Sequence, residues 1–204
     1  MSLVLSTFVV LLTGCQQGEP GVDADESPTA AVERSGLSML LGAGDLGSGW
    51  REDDARTGLP PWPWEQDDCP NYLSSDYTAK SHRRAAVERY YRLPDGSSPA
   101  HHVVETYEPG WAEQNVDDVR QVLRRCASYV VHGATVSFDI VDSQYLGGVG
   151  LLVRGRIYHS QTPATTRYFV MLKRGETVST VSLPDLGDQA AVDSIAAKAV
   201  ARLG

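Results

Sequence analysis

Four prolines, at positions 60, 61, 63 and 70, fall within the stretch Asp53–Ser75, whose middle reads LPPWPWEQDDCPNY. Proline locks φ and removes a backbone donor, so neither a regular helix nor a central strand can run through this stretch. A loop this long inside a compact domain is usually functional or covers something.

After Ser81 the texture changes. The runs RRAAVERYYRL and HHVVETYE flank PDGSSP, a turn signal between two strand-like segments, and predict a hairpin over residues 82–93 and 101–108. After Pro109, Trp111, Val116, Val119, Val122, Leu123 and Cys126 recur at three- and four-residue steps and predict a helix. Asp117 and Asp118 are expected on its outer side, with Arg120, Arg124 and Arg125 towards the C-terminal end that the helix dipole favours for cations. Four further strands are predicted at Val136–Val141, Gly150–Tyr158, Thr166–Lys173 and Thr177–Leu183. Their short connections imply antiparallel neighbours. A last helix starts at Asp188 as cap and carries Val192, Ile195, Ala196, Ala199, Val200 and Leu203 on one face. This order predicts one α+β domain, an antiparallel sheet of about six strands packed with two main helices, rather than a doubly wound sheet.

The N-terminus sets the compartment. Ser2 to Leu12 is an uncharged apolar run, too short for a permanent transmembrane helix and of the length of a signal-peptide core. It runs into Leu12-Thr-Gly-Cys15, which matches the lipobox of bacterial lipoproteins residue for residue, although no Lys or Arg precedes the apolar run. The resemblance implies cleavage before Cys15, lipidation of its sulfur, and a chain anchored to the extracytoplasmic face of the cell membrane. Residues 1–14 are then a signal peptide, 15–35 a flexible tether and 36–204 the folded domain. The tether, QQGEPGVDADESPTAAVERS from Gln16, has hardly an apolar residue with which to offset its ordering entropy. Its roughly twenty residues span about 25 Å as loose chain.

With Cys15 assigned to lipid, Cys69 and Cys126 remain in an oxidising compartment, where a pair is most often a disulfide. It ties the proline-rich loop to the first main helix, and closing so long a loop is worth about 4 kcal/mol in the chain-entropy account. A two-cysteine metal site is the rival, but no histidine stands at finger-like spacing from either sulfur. The net charge of −8 argues against nucleic acid as a partner. Many arginines beside few lysines, with much Ala, Gly and Asp, hint at an actinobacterial genome.

Several apparent motifs fail on context. Gly42-Ala-Gly44-Asp-Leu-Gly47 fits G-x-G-x-x-G, but a dinucleotide loop must follow a strand and open a helix within a βαβ unit. Here it follows a tether and a short helix turn (Leu37, Met39, Leu40, Leu41) and runs towards Trp50, so the glycines are read as ending that turn and letting Trp50 enter the core. His101 and His102 are neighbours on a predicted strand and point to opposite faces. His82, His132 and His159 show no pairing rhythm, so surface histidines and no metal site are expected. Asp53-Asp54 and Asp67-Asp68 lack the regular ligand spacing of a calcium loop. No G-x-S-x-G, S-x-x-K or H-E-x-x-H is present, and neither an enzymatic site nor a cofactor is expected.

Trp62, Trp64 and Tyr72 are the most suggestive group left. Aromatic residues on a long loop can floor a pocket for a sugar, lipid or peptide. They can equally cap one end of the core, pinned by the cysteine bridge, and that reading is favoured; a ligand site, if present, is expected here.

The layout as a whole, LSMLLGAGDLGSGW, a loop to Cys69, a strand pair, a helix ending VLRRCASYV and a final amphipathic helix, resembles actinobacterial sensor-domain lipoproteins. It is similar to the extracellular domain of mycobacterial PknH-type receptor kinases over roughly residues 36–204. The resemblance implies an α+β fold with an antiparallel sheet, a Cys69–Cys126 bridge and a cleft for an extracellular ligand. A second disulfide of those domains has no counterpart here, nor has their kinase domain. The leading reading is a lipid-anchored, sensor-like binding lipoprotein for a small ligand or an envelope protein. A structural or interaction lipoprotein without a small ligand, and a cell-envelope enzyme accessory, are the alternatives.

Overall fold

The computed structural model describes residues 28–96, 99–148, 150–159 and 162–204. Cys15, the apolar leader and most of the expected tether lie outside them.

Among the described residues nine strands form one antiparallel sheet. They are β1 (Arg51–Glu52), β2 (Arg56–Gly58), β3 (Arg83–Arg92), β4 (Ala100–Tyr107), β5 (Ser128–Val131), β6 (Ala134–Gln144), β7 (Gly150–His159), β8 (Thr162–Arg174) and β9 (Thr177–Pro184). Their order is β1-β3-β4-β9-β8-β7-β6-β5, with β2 also pairing along the outer edge of β3. The expectation of about six strands is corrected to nine. The three additions, β1, β2 and β5, have two to four residues each, too short to show a period. The hairpin, the later strands and their antiparallel pairing stand where the strand-like runs, the turn signal and the short connections placed them.

The long helices are α1 (Pro28–Met39), α3 (Trp111–Arg125) and α4 (Gln189–Arg202), with a single turn, α2, at Ala43–Leu46. α1 is a correction too. It begins inside the stretch expected to be tether, and its Leu37 and Met39 pack with buried Leu40 on Val87 of β3 and Val104 of β4. The contact is close enough to need a glycine: a Cβ on Gly36 stands 2.9 Å from Val87 Cγ2. In α4, Asp188 caps as expected, its carboxylate accepting from the Ala190 N–H at 2.9 Å.

The sheet is covered on both faces, which is why β4, β7 and β9 bury consecutive rather than alternate residues. On one face α3 and the proline-rich loop pack on Leu151, Val153, Met171 and Val178. On the other, α4 and the Leu41–Leu46 segment pack on Leu152, Val170, Leu172, Val181 and Leu183.

The glycine motif is a latch. Gly42 donates its N–H to Asp45 Oδ2 at 2.8 Å, and Arg202 at the end of α4 pairs with the same oxygen at 2.6 Å. Trp50, half-buried, packs against the core beneath α4 as expected. On α3, Asp117 is outside but Asp118 is not. Asp118 is buried, and its Oδ2 accepts from the Ala79 N–H at 3.0 Å. It stands on the same helical face as Asn115 and Val122, at i+3 and i+4 spacings, where its short carboxylate caps a turn of the loop instead of meeting solvent.

Candidate functional site

The proline-rich loop is pinned to α3 and to the sheet. Cys69 and Cys126 form a disulfide with a Cα–Cα distance of 5.9 Å. Trp62 donates its ring N–H to Asn115 Oδ1 at 2.9 Å, and Arg83 reaches the Pro60 carbonyl at 2.9 Å. Tyr72 stacks on Tyr77 with ring centroids 5.0 Å apart. Trp62 and Trp64 are each 2 % exposed and Tyr72 8 %, so all three rings face inward. Of the two roles open to them, their burial supports capping the core. Trp64 approaches an open site through Phe169, whose ring centroid lies 5.6 Å away.

That site lies on the same face of the sheet, beyond the cover of loop and α3. A small groove of about 80 Å³ opens over β6, β7 and β8. Register builds it: Gly155 of β7 stands between Phe138 of β6 and Arg167 of β8. Gly155 forms the floor, and a Cβ there meets Phe169 Cε2 at 3.0 Å and Phe138 Cε1 at 3.1 Å. Phe138 and Phe169 are the walls, their rings tilted at 59° and 6.3 Å apart. Val136 and Ile157 extend the apolar lining, and Thr165, Arg156 and Arg167 border it with almost no polar surface turned inward.

Arg167 is held by neutral oxygens. Its Nε donates to Ser182 Oγ at 3.1 Å and its Nη2 to the Pro99 carbonyl at 2.5 Å. Burial pushes the guanidinium below its usual pKa, with no acid acting the other way. Alongside, His101 stacks on Tyr90 at 4.1 Å and meets Glu88 at 2.8 Å, while Arg56 approaches Glu88 at 3.8 Å. Burial lowers the His101 pKa; Glu88 opposes that shift, and the charges of Arg167 and Arg56 add to it.

The other histidines take separate places. His102, on the opposite face as alternation requires, is fully buried rather than at the surface, and His82 stacks on Trp111 at 3.5 Å. Asp67 and Asp68 are exposed, and Asp53 pairs with Arg92 at 2.8 Å. Among the described residues no three His, Cys, Asp or Glu side chains gather as a metal site would need. No helix among them is long and apolar enough to cross a membrane.

Sequence reasoning passed over Arg167, Gly155, Phe138 and Phe169. Two signals were present: a lone glycine inside the strand run LLVRGRIY, which marks a close approach, and an arginine inside TTRYFVM on the face shared with Phe169.

The fold is similar to the crystal structure of the extracellular domain of PknH from Mycobacterium tuberculosis, with a TM-score of 0.63 over 84 % of this chain and 95 % of that one. The identity is 16 %, so the likeness is one of fold. No family model matches the sequence, and no curated protein matches it.

Proposed function

We propose that this chain is a lipid-anchored, sensor-like binding lipoprotein of the extracytoplasmic face, taking a small ligand in the groove between Phe138 and Phe169. The groove itself is the observation that carries the reading: an apolar slot, walled by two phenylalanines and floored by a glycine that leaves it open. Ligand sites are likewise mostly apolar, and a slot of about 80 Å³ suits a small apolar group or the tip of a larger ligand. The disulfide suits an oxidising compartment, and the likeness to an extracellular domain agrees with it. The role is binding rather than catalysis, because the lining offers no nucleophile beside a base. The lipid on Cys15 supplies the anchor.

A thermal-shift screen of the full chain against envelope lipids, sugars, peptides and small fragments tests the groove. Gly155→Val, which fills the floor, is expected to abolish any stabilisation seen with the wild type. A ligand that stabilises both chains equally binds elsewhere, and a chain stabilised by nothing sinks the reading.

One observation favours a protein partner instead. Val130, Ile140 and Val141, on the β5–β6 edge, are 67 %, 37 % and 46 % exposed. Photo-crosslinking from Val130 in native envelopes is expected to trap a single partner on that reading, and only scattered products otherwise.

A further inference from the structure

We propose that a second site, separate from the groove over Gly155, binds an α-amino acid with an apolar side chain. It lies between α3 and the strands β7 and β8, where Glu113 takes the ammonium and Lys173 the carboxylate.

A pocket of about 210 Å³ opens there, lined by Glu113, Val116 and Arg120 of α3, Leu151 of β7, and Met171 and Lys173 of β8. Two periods build it. Glu113, Val116 and Arg120 follow at three- and four-residue steps and share one face of the helix. Met171 and Lys173 alternate onto one face of β8, and register sets Leu151 of β7 beside Met171. Leu151, Met171 and Val116 are buried and give the pocket an apolar floor. The side chains of Glu113, Arg120 and Lys173 are part-exposed and bring charge to it.

Arg120 is already matched, its Nη1 donating to Asp117 Oδ1 at 3.0 Å on the same helix. Glu113 and Lys173 remain, and their Oε2 and Nζ meet at 2.7 Å from opposite walls. An ion pair as exposed as this one holds weakly, because water screens it and two long side chains must be fixed. A ligand carrying both charges replaces it with two pairs, ammonium on Glu113 and carboxylate on Lys173. A ligand carrying one charge takes one partner and leaves the other with none. The occupant is therefore dipolar. Its body rests on Leu151 and Met171, and a space of about 210 Å³ admits one small molecule.

The test is isothermal titration of the full chain with three compounds of one skeleton: L-leucine, 4-methylpentanoate, which lacks the amine, and 3-methylbutylamine, which lacks the carboxylate. Leucine is expected to bind at least about fivefold more tightly than either fragment, the scale of one part-exposed charged contact. Glu113→Gln should bring leucine down to the affinity of 4-methylpentanoate, and Lys173→Gln to that of the amine. Gly155→Val, which fills the groove, should leave leucine binding unchanged. A fragment that binds as tightly as leucine, no binding of leucine, or full leucine affinity in both folded charge variants overturns the proposal. Loss of leucine binding in a folded Gly155→Val chain also overturns it, by placing leucine in the groove. Should a charge variant fail to fold, the comparison of the three compounds on the wild type decides alone.

Discussion

The backbone N–H of Leu41 donates a 3.1 Å hydrogen bond to Nδ1 of His102, 61 residues further along the chain. The ring is fully buried, and its Nε2 lies 2.8 Å from Ser179 Oγ. With Nδ1 accepting, the proton sits on Nε2 and the imidazole is neutral. One side chain thus ties the segment leading into the Asp45 latch to two central strands.

Stability should therefore fall with acid in a window that His102 shares with His101, whose pKa burial also lowers. Desolvation, then the charges of His101, Arg202 and Arg89, push its pKa down to about 3, with Asp45 opposing. Unfolded, the group titrates near ~6.5, so the unfolded chain binds the extra proton. The contribution is complete above that pH and is lost as pH falls towards the folded value, by at most about 1.4 kcal/mol per pH unit. Urea midpoints between about pH 6.5 and 5, above the main carboxylate range, should show the slope. His102→Leu should reduce it, leaving the part due to His101, while lowering stability at neutral pH, since the Leu41 N–H then has no acceptor. An unchanged slope in that variant removes His102 as the cause.

Arg83 and Glu105 pair at 2.9 Å, their side chains 10 % and 0 % exposed. Burial raises the Glu105 pKa, and Arg83 opposes the shift. Arg83→Met leaves a buried carboxyl without its cation and is expected to cost about 3–5 kcal/mol. Combining it with Glu105→Leu should recover most of that loss, read as denaturation midpoints of the two variants side by side.

The Cys69–Cys126 bridge spans 57 residues of chain. Replacing both cysteines by alanine is expected to cost about 4 kcal/mol if loop entropy dominates. Hydrogen exchange should then rise first at Trp62–Tyr77, which the bridge holds on α3. Exchange rising evenly across the sheet instead would mean that the loop is held by its ring contacts alone.

Cys15→Ser tests the anchor. Mass spectrometry of the wild type should show a diacylglycerol on the processed chain, and the variant should lose both that mass and the membrane fraction. An unmodified wild-type Cys15 rejects the lipobox reading.

The legible elements were those whose runs or periods are long enough to count. The hairpin of β3 and β4 and the strands β6 to β9 are long runs of strand-forming residues bounded by turn signals, and the two helices α3 and α4 repeat apolar residues at three- and four-residue steps. β1, β2 and β5 are not such runs, because pairing with a neighbour rather than their own composition makes them strands. α1 was hidden for a related reason: PTAAVERSGLSM is weakly patterned, and its helix is packed against β3 and β4.

The candidate site was less legible still. Trp62, Trp64 and Tyr72 draw the eye as a ligand platform, yet local sequence does not say which way a loop aromatic turns. The disulfide and Asn115 decide that, and they turn the rings inward. Gly155, Phe138 and Arg167 lie on three different strands and become neighbours only through the β6–β7–β8 register.

By itself the sequence determined the α+β class, the antiparallel order of the later strands and the pairing of Cys69 with Cys126, all of which follow from local period, short connections and cysteine count. Tertiary structure alone decided which side chains meet across strands: the burial of His102 under Leu41, the groove over Gly155, and the guanidinium of Arg167 left without an acid. Those depend on register between distant segments, where the two-residue alternation of a strand says which face a residue takes but not which neighbour it finds.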